Sequence, residues 1–185
     1  MIYIVAFGVL FVALGFWIFS VQRSLAGMDG NINNAMSQIG LQLSSQWEVL
    51  IFLLELSEWH AVHECETIIE TMKAGRFITK DSSPDDVRKQ ELLIAEAIEK
   101  IIKVADVCPK LKEDRSYIKT MEAIHQYENM LQTSRLIYND SAAKLNRAIR
   151  MFPTSMIAGI LGFSNLDYLE EGKIMKRINY HRCEA

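Results

Sequence analysis

The sequence predicts an all-α protein: an N-terminal transmembrane helix followed by a long antiparallel helical bundle, three long helices plus a short fourth, of four-helix-bundle type. Three observations predict it. Residues Ile2 to Phe19 carry no charge and no strongly polar side chain. Apolar residues beyond them recur at alternating spacings of three and four, which is the stripe of an amphipathic helix. No glycine lies between Gly75 and Gly159, which argues against a turn-rich β fold.

The apolar start comes first. As a helix it is about 27 Å long, close to the ~30 Å hydrocarbon core of a bilayer. Tyr3 and Trp17 near its ends suit interfacial belts. Ser24-Leu25-Ala26 resembles a cleavage site, but no Lys or Arg precedes the apolar run, and the run is longer than the usual signal-peptide core. A retained anchor is therefore expected over 1–22. Arg23 follows the span, so the positive-inside rule places the C-terminal domain in the cytoplasm and the protein in the cell membrane, single-pass. Gly8 and Gly15 do not form a G-x-x-x-G pair and read as lipid-facing.

Three prolines, Pro84, Pro109 and Pro153, divide the remainder. In the first block Ile32, Met36, Ile39, Leu43, Trp47, Leu50, Leu54, Ala61, Cys65, Ile68 and Met72 form a seam. Asp81 to Asp85 reads as a turn and cap with proline just inside the next helix. The second block carries Val87, Ile94, Ala95, Ile98, Ile101, Ile102 and Ala105, and stops at Cys108-Pro109. The third runs through Tyr117, Met121, Ile124, Glu128, Leu131, Arg135, Tyr138, Ala142, Leu145, Ile149 and Phe152. Thr154 is expected to cap a short last helix, Met156 to Leu161. Helices of this length joined by short turns bury their stripes by packing antiparallel. The bundle is placed at 28–169, and a basic tail with Lys173, Lys176, Arg177 and Arg182 at 170–185.

Composition narrows function by exclusion. With 20 basic and 23 acidic residues the formal charge is −3, so no nucleic-acid partner is expected. Cys65, Cys108 and Cys183 are too few and too scattered for a disulfide framework and fit a reducing compartment. His60, His63 and Glu64 invite a metal reading, but H-E-x-x-H is absent because Thr67 stands four residues after His63. No phosphate loop, G-x-S-x-G or cysteine–histidine pattern appears, so no catalytic residue, metal ligand or cofactor is assigned and no enzyme is expected.

Glu128 and Arg135 stand on the third seam, where an unpaired charge costs several kcal/mol. Each needs a counter-charge on another helix. The first block offers Glu64 for Arg135 and Arg76 for Glu128, with Asn139 and His63 completing the hydrogen bonds. Of the two pairs, Glu64–Arg135 is expected to be level. The layer Glu64, Arg135, Glu128, Arg76, Asn139 and His63 is read as structural, fixing helix register.

The chain resembles the LemA family of bacterial membrane proteins. Ser37-Gln38-Ile39 with Leu41-Gln42-Leu43 looks like the family's first helical motif, and His63-Glu64 like its histidine–glutamate pair. Cys108-Pro109-Lys110-Leu111-Lys112 is similar to its proline turn, where tyrosine usually stands at Cys108. Tyr127-Glu128-Asn129, Arg135, Tyr138-Asn139, Asn146, Phe152-Pro153, Ile157-Ala158 and Gly162-Phe163 match the C-terminal signature in order and spacing. The family usually has aspartate at Gly40, basic residues around Ser44 and Ser45, and a proline-asparagine step at Ile51-Phe52. The resemblance implies a membrane-anchored antiparallel four-helix bundle and does not imply an enzyme.

The function expected is a non-catalytic scaffold or adaptor at the membrane. The alternatives are lipid-surface binding through the basic tail and a metal or ligand site inside the bundle. Expected partners are the lipid bilayer and a membrane or cytoplasmic protein that the sequence does not identify, with a second copy of the chain as a further alternative.

Overall fold

The computed structural model describes residues 2–58, 78–107 and 109–170. Among these the chain is helical with no strand. Helix α1 (Ile2–Glu58) is one unbroken helix of 57 residues, about 85 Å long. The apolar N-terminal segment and the first bundle helix, which the sequence separates at 22–28, are thus a single element. The side chains of residues 2–20 are exposed. From Leu25 onward one face is buried through Ile32, Met36, Ile39, Leu43, Leu50 and Leu54. The remainder of that expected seam, Ala61, Cys65, Ile68 and Met72, lies outside the described residues.

Helix α2 (Pro84–Val107) opens with a capping box. The Ser83 hydroxyl accepts from the Asp86 N–H at 3.2 Å, and the Asp86 carboxylate accepts from the Ser83 N–H at 3.0 Å. Pro84 at the first helical position has no N–H to leave unsatisfied. Asp85 and Asp86 also complement the positive end of the helix dipole. A five-residue helix α3 (Pro109–Glu113) tucks Leu111 into the interior. Asp114 then caps helix α4 (Arg115–Arg150), its carboxylate accepting from the Ser116 N–H at 2.6 Å.

Helix α5 (Thr154–Ile160) is closed by a Schellman motif. Gly162 adopts φ 79°, Phe163 N–H donates to the Ala158 carbonyl and Gly162 N–H to that of Gly159. Two expectations are corrected here. Thr154 is the first residue of α5 and not its cap; Pro153 holds the cap position without a side-chain bond. Phe152 is 79% exposed instead of closing the third seam. The reason is local: Met151 turns to an extended conformation (φ −83°, ψ 130°), so the helical phase that would carry Phe152 inward is lost.

Helices α1 and α4 are antiparallel. Gln46 of α1 reaches Glu128 of α4, and α1 also packs against α5. A parallel pair would carry the end of α4 beyond Glu58, out of α1's reach, whereas an antiparallel one brings Arg150 level with Ser24. The core lies between α1 and α4, with α2 against α1.

Candidate functional site

The interior of the bundle contains a line of polar side chains drawn from three helices. Helix α4 supplies Glu128, 0% exposed, and Arg135, 6% exposed. They are two turns apart on the stripe that also carries Ile124, Leu131, Tyr138 and Leu145. Helix α1 supplies Gln46, whose Nε2 donates to Glu128 Oε2 at 3.2 Å. Helix α2 supplies Glu91, which accepts from Arg135 Nη2 in a buried ion pair.

Among the described residues Arg135 is paired with Glu91, and Glu128 meets the neutral amide of Gln46. Glu64, Arg76 and His63 lie outside the described residues. The second seam was read from apolar residues alone, and Glu91 was missed for that reason. Its signal was nevertheless present: Val87, Glu91, Ile94, Ile98, Ile101 and Ala105 alternate by four and three without a break, and all six are buried.

Burial pushes the Glu128 carboxyl above the usual carboxylate range, against the hydrogen bond from Gln46 and the attraction of Arg135, which pull it down. Burial also raises Glu91, with the Arg135 charge and hydrogen bond opposing and the Glu128 charge assisting. Arg135 is thus ion-paired with Glu91 and attracts the Glu128 carboxyl through charge alone. Among the described residues Glu128 Oε1 and Gln46 Oε1 have no hydrogen-bond partner.

Asn139 takes a different role from the one expected. Its amide donates to the Leu169 carbonyl and accepts from the Leu169 N–H, both at 2.8 Å. Asn146 makes the same pair of bonds with Leu166, both at 2.9 Å. A residue offers its N–H and C=O to one partner in this way when its backbone is extended. The spacing agrees: Asn139 and Asn146 are about 10.5 Å apart along α4, and three extended residues from Leu166 to Leu169 cover about 10 Å. The Tyr138 hydroxyl donates to the Asp167 carbonyl at 3.3 Å. These three side chains hold the segment after α5 along α4, where Leu169 is buried.

That segment and the first turns of α2 enclose a cleft of about 220 Å³. The Glu91–Arg135 pair lines it, with Val87, Leu92 and Leu169 as apolar wall and Arg88 at the side. No group of three or more metal-ligating side chains occurs among the described residues. His60 and the basic residues of the tail fall outside them.

An all-α bundle locked by a buried polar line, with an apolar N-terminal helix running out of it, is the class of protein that these features define. One helix of the described residues is long and apolar enough to cross a membrane, and it is the N-terminal one. The model of the LemA family matches residues 35–179, and the chain belongs to that family. No curated protein matches the chain in sequence.

Proposed function

We propose that the protein is a membrane-anchored, non-catalytic scaffold whose bundle presents a docking face to a protein partner. The observation that carries this reading is the unbroken α1, in which the membrane-length apolar segment and the first bundle helix share one axis. A helix without a hinge fixes the bundle's height and rotation relative to the bilayer, which a scaffold needs and a soluble enzyme does not. Gln46 bonds to Glu128 and Arg135 to Glu91 across the interior, while Asn139 and Asn146 bond to the backbone of the 166–169 segment, contacts that tie three helices and that segment together.

A cytoplasmic bundle in the cell membrane is supported by charge at the end of the span. Arg23 follows it, and Arg147 and Arg150 close α4 at the same level. The cleft beside α2 is the docking face, since it combines an apolar wall with charged rims.

The test is made in intact cells with the full chain. Retention in membranes after an alkaline wash is the expected result for the anchor. A photo-crosslinking amino acid at Leu92, in the cleft wall, should give one discrete adduct that Arg88→Glu abolishes. Release by the wash overturns the anchor; repeated absence of a discrete adduct overturns the scaffold. An exposed cysteine introduced at Asp85 should resist an impermeant reagent, and labelling there reverses the orientation.

A further inference from the structure

We infer that the α4–α5 corner is a lipid-contacting face that seats the bundle on the anionic interface of the membrane that α1 spans. The inference rests on the anchoring reading above. Its first support is position. Gln46 opposite Glu128 sets the antiparallel register, which brings Arg150 level with Ser24. Ser24 is about 7.5 Å along the helix axis from Phe19, the end of the apolar run. A headgroup layer is about 5–7 Å thick on each side of the hydrocarbon core. The residues that follow Arg150 therefore leave α4 at headgroup depth.

The second support is what those residues are. Phe152, Met156 and Ile160 follow one another at intervals of four and are 79%, 64% and 86% exposed. Met151 and Leu161 flank them and are also exposed, while Ala158 on the opposite side of α5 is buried. So many large apolar side chains on one short corner are costly against water and are suited to the acyl boundary.

Charge is the third and chooses the lipid. From Ser141 to Leu166 the chain has no Asp or Glu, although the whole protein is net −3. Lys144 in that stretch is paired with Asp140. Arg147 and Arg150 stand on the last turn of α4, and Arg23 lies on α1 at the same level. Apolar side chains bordered by arginines fit a membrane surface carrying anionic headgroups, and this corner adjoins the segment that already enters the bilayer.

The test reconstitutes the full chain in vesicles, with an environment-sensitive fluorescent amino acid placed singly at Met156, at Leu136 or at Val9. Leu136 is exposed on α4 away from the corner, and Val9 is inside the apolar run. Lipids with a quencher just below the headgroup should quench the Met156 reporter several-fold more than the Leu136 reporter. The excess should shrink when phosphatidylglycerol is replaced by phosphatidylcholine, and again in the Arg147→Gln, Arg150→Gln variant. Quenching at Val9 but equal, weak quenching at Met156 and Leu136 overturns the inference and leaves the anchor standing. No quenching at Val9 by lipids that carry the quencher near the end of the acyl chain overturns the anchor itself. A Met156 reporter shielded from both lipid quencher and aqueous iodide means that a protein surface covers the corner, which also overturns the inference. Equal quenching in both vesicle types overturns the preference for anionic lipid.

Discussion

Arg135 of α4 and Glu91 of α2 form a buried ion pair whose two members each occupy an apolar seam position of their own helix. The pair thereby ties α2 to α4 at one register, since a slip by one turn would bury two charges without partners.

Arg135→Ala leaves the Glu91 carboxylate buried and unpaired, and is expected to destabilise the detergent-solubilised full chain by ~3–5 kcal/mol. Arg88→Ala removes a partner of Asp85 from a pair in which both side chains are half exposed or more, so its cost should be far smaller than that of Arg135→Ala. A double-mutant cycle of Arg135→Ala with Glu91→Ala measures the coupling in urea denaturation. Coupling below about 0.5 kcal/mol would show that the pair does not act as a unit.

Gly40 carries a different kind of constraint. A Cβ there would run into the backbone carbonyl oxygen of Ile78, well inside van der Waals contact. Backbone cannot swing aside as the end of a long side chain does. Gly40→Ala is therefore expected to destabilise by ~1–3 kcal/mol. Gly40→Asp adds a carboxylate against that carbonyl and should be worse. Equal melting temperatures for the wild type and Gly40→Ala would mean that the contact is loose.

What the sequence discloses is what side-chain periodicity can carry. The described part of the α1 seam, the seams of α2 and α4, and the inward position of Glu128 and Arg135 follow from spacings of three and four, whereas the break between α2 and α3 follows from Pro109. Ion-pair partners are less legible, because several acids lie within reach in any antiparallel register and a seam read only through apolar letters passes over Glu91. The duty of Asn139 is not legible at all. It sits one residue after Tyr138, turned about a quarter of the way round the helix, and its partner is backbone, which every residue possesses alike. Phe152 illustrates the opposite failure: its spacing continues the seam, but the helix has already ended at Arg150.

Asn139→Ala and Asn146→Ala each remove two side-chain-to-backbone bonds and leave an N–H and a C=O of the 166–169 segment without those partners. Each substitution should cost ~1–3 kcal/mol. Amide hydrogen exchange gives the specific readout: Leu169 should lose protection in the first variant and Leu166 in the second. Asn146→Asp keeps an acceptor for the Leu166 N–H but sets oxygen against the Leu166 carbonyl, so it should fail to restore the melting temperature. Unchanged protection at Leu166 in Asn146→Ala would refute the clamp.

Glu128 sets the expected pH dependence. Burial raises its carboxyl above the ordinary range, so over the window between the unfolded and folded values the folded chain binds more protons than the unfolded one. Stability then falls as pH rises: the contribution is complete below the ordinary carboxyl value and is lost as pH rises through the raised one. Each group contributes a slope of at most about 1.4 kcal/mol per pH unit. Glu91 is raised in the same direction, so the two act with one sign and removing Glu128 flattens the profile without abolishing it. Glu128→Gln keeps the shape, drops the charge and supplies an amide N–H for Gln46 Oε1, an acceptor with no partner among the described residues. It is expected to match or exceed the wild type at pH 8 while declining less between pH 5 and 8. Glu128→Ala leaves a cavity and an unpaired Gln46, and should be less stable than the wild type at both ends of that range. Thermal denaturation across the range decides the matter: identical slopes for the wild type and Glu128→Gln would mean that the carboxyl is ionised throughout and that its negative charge is balanced within the bundle.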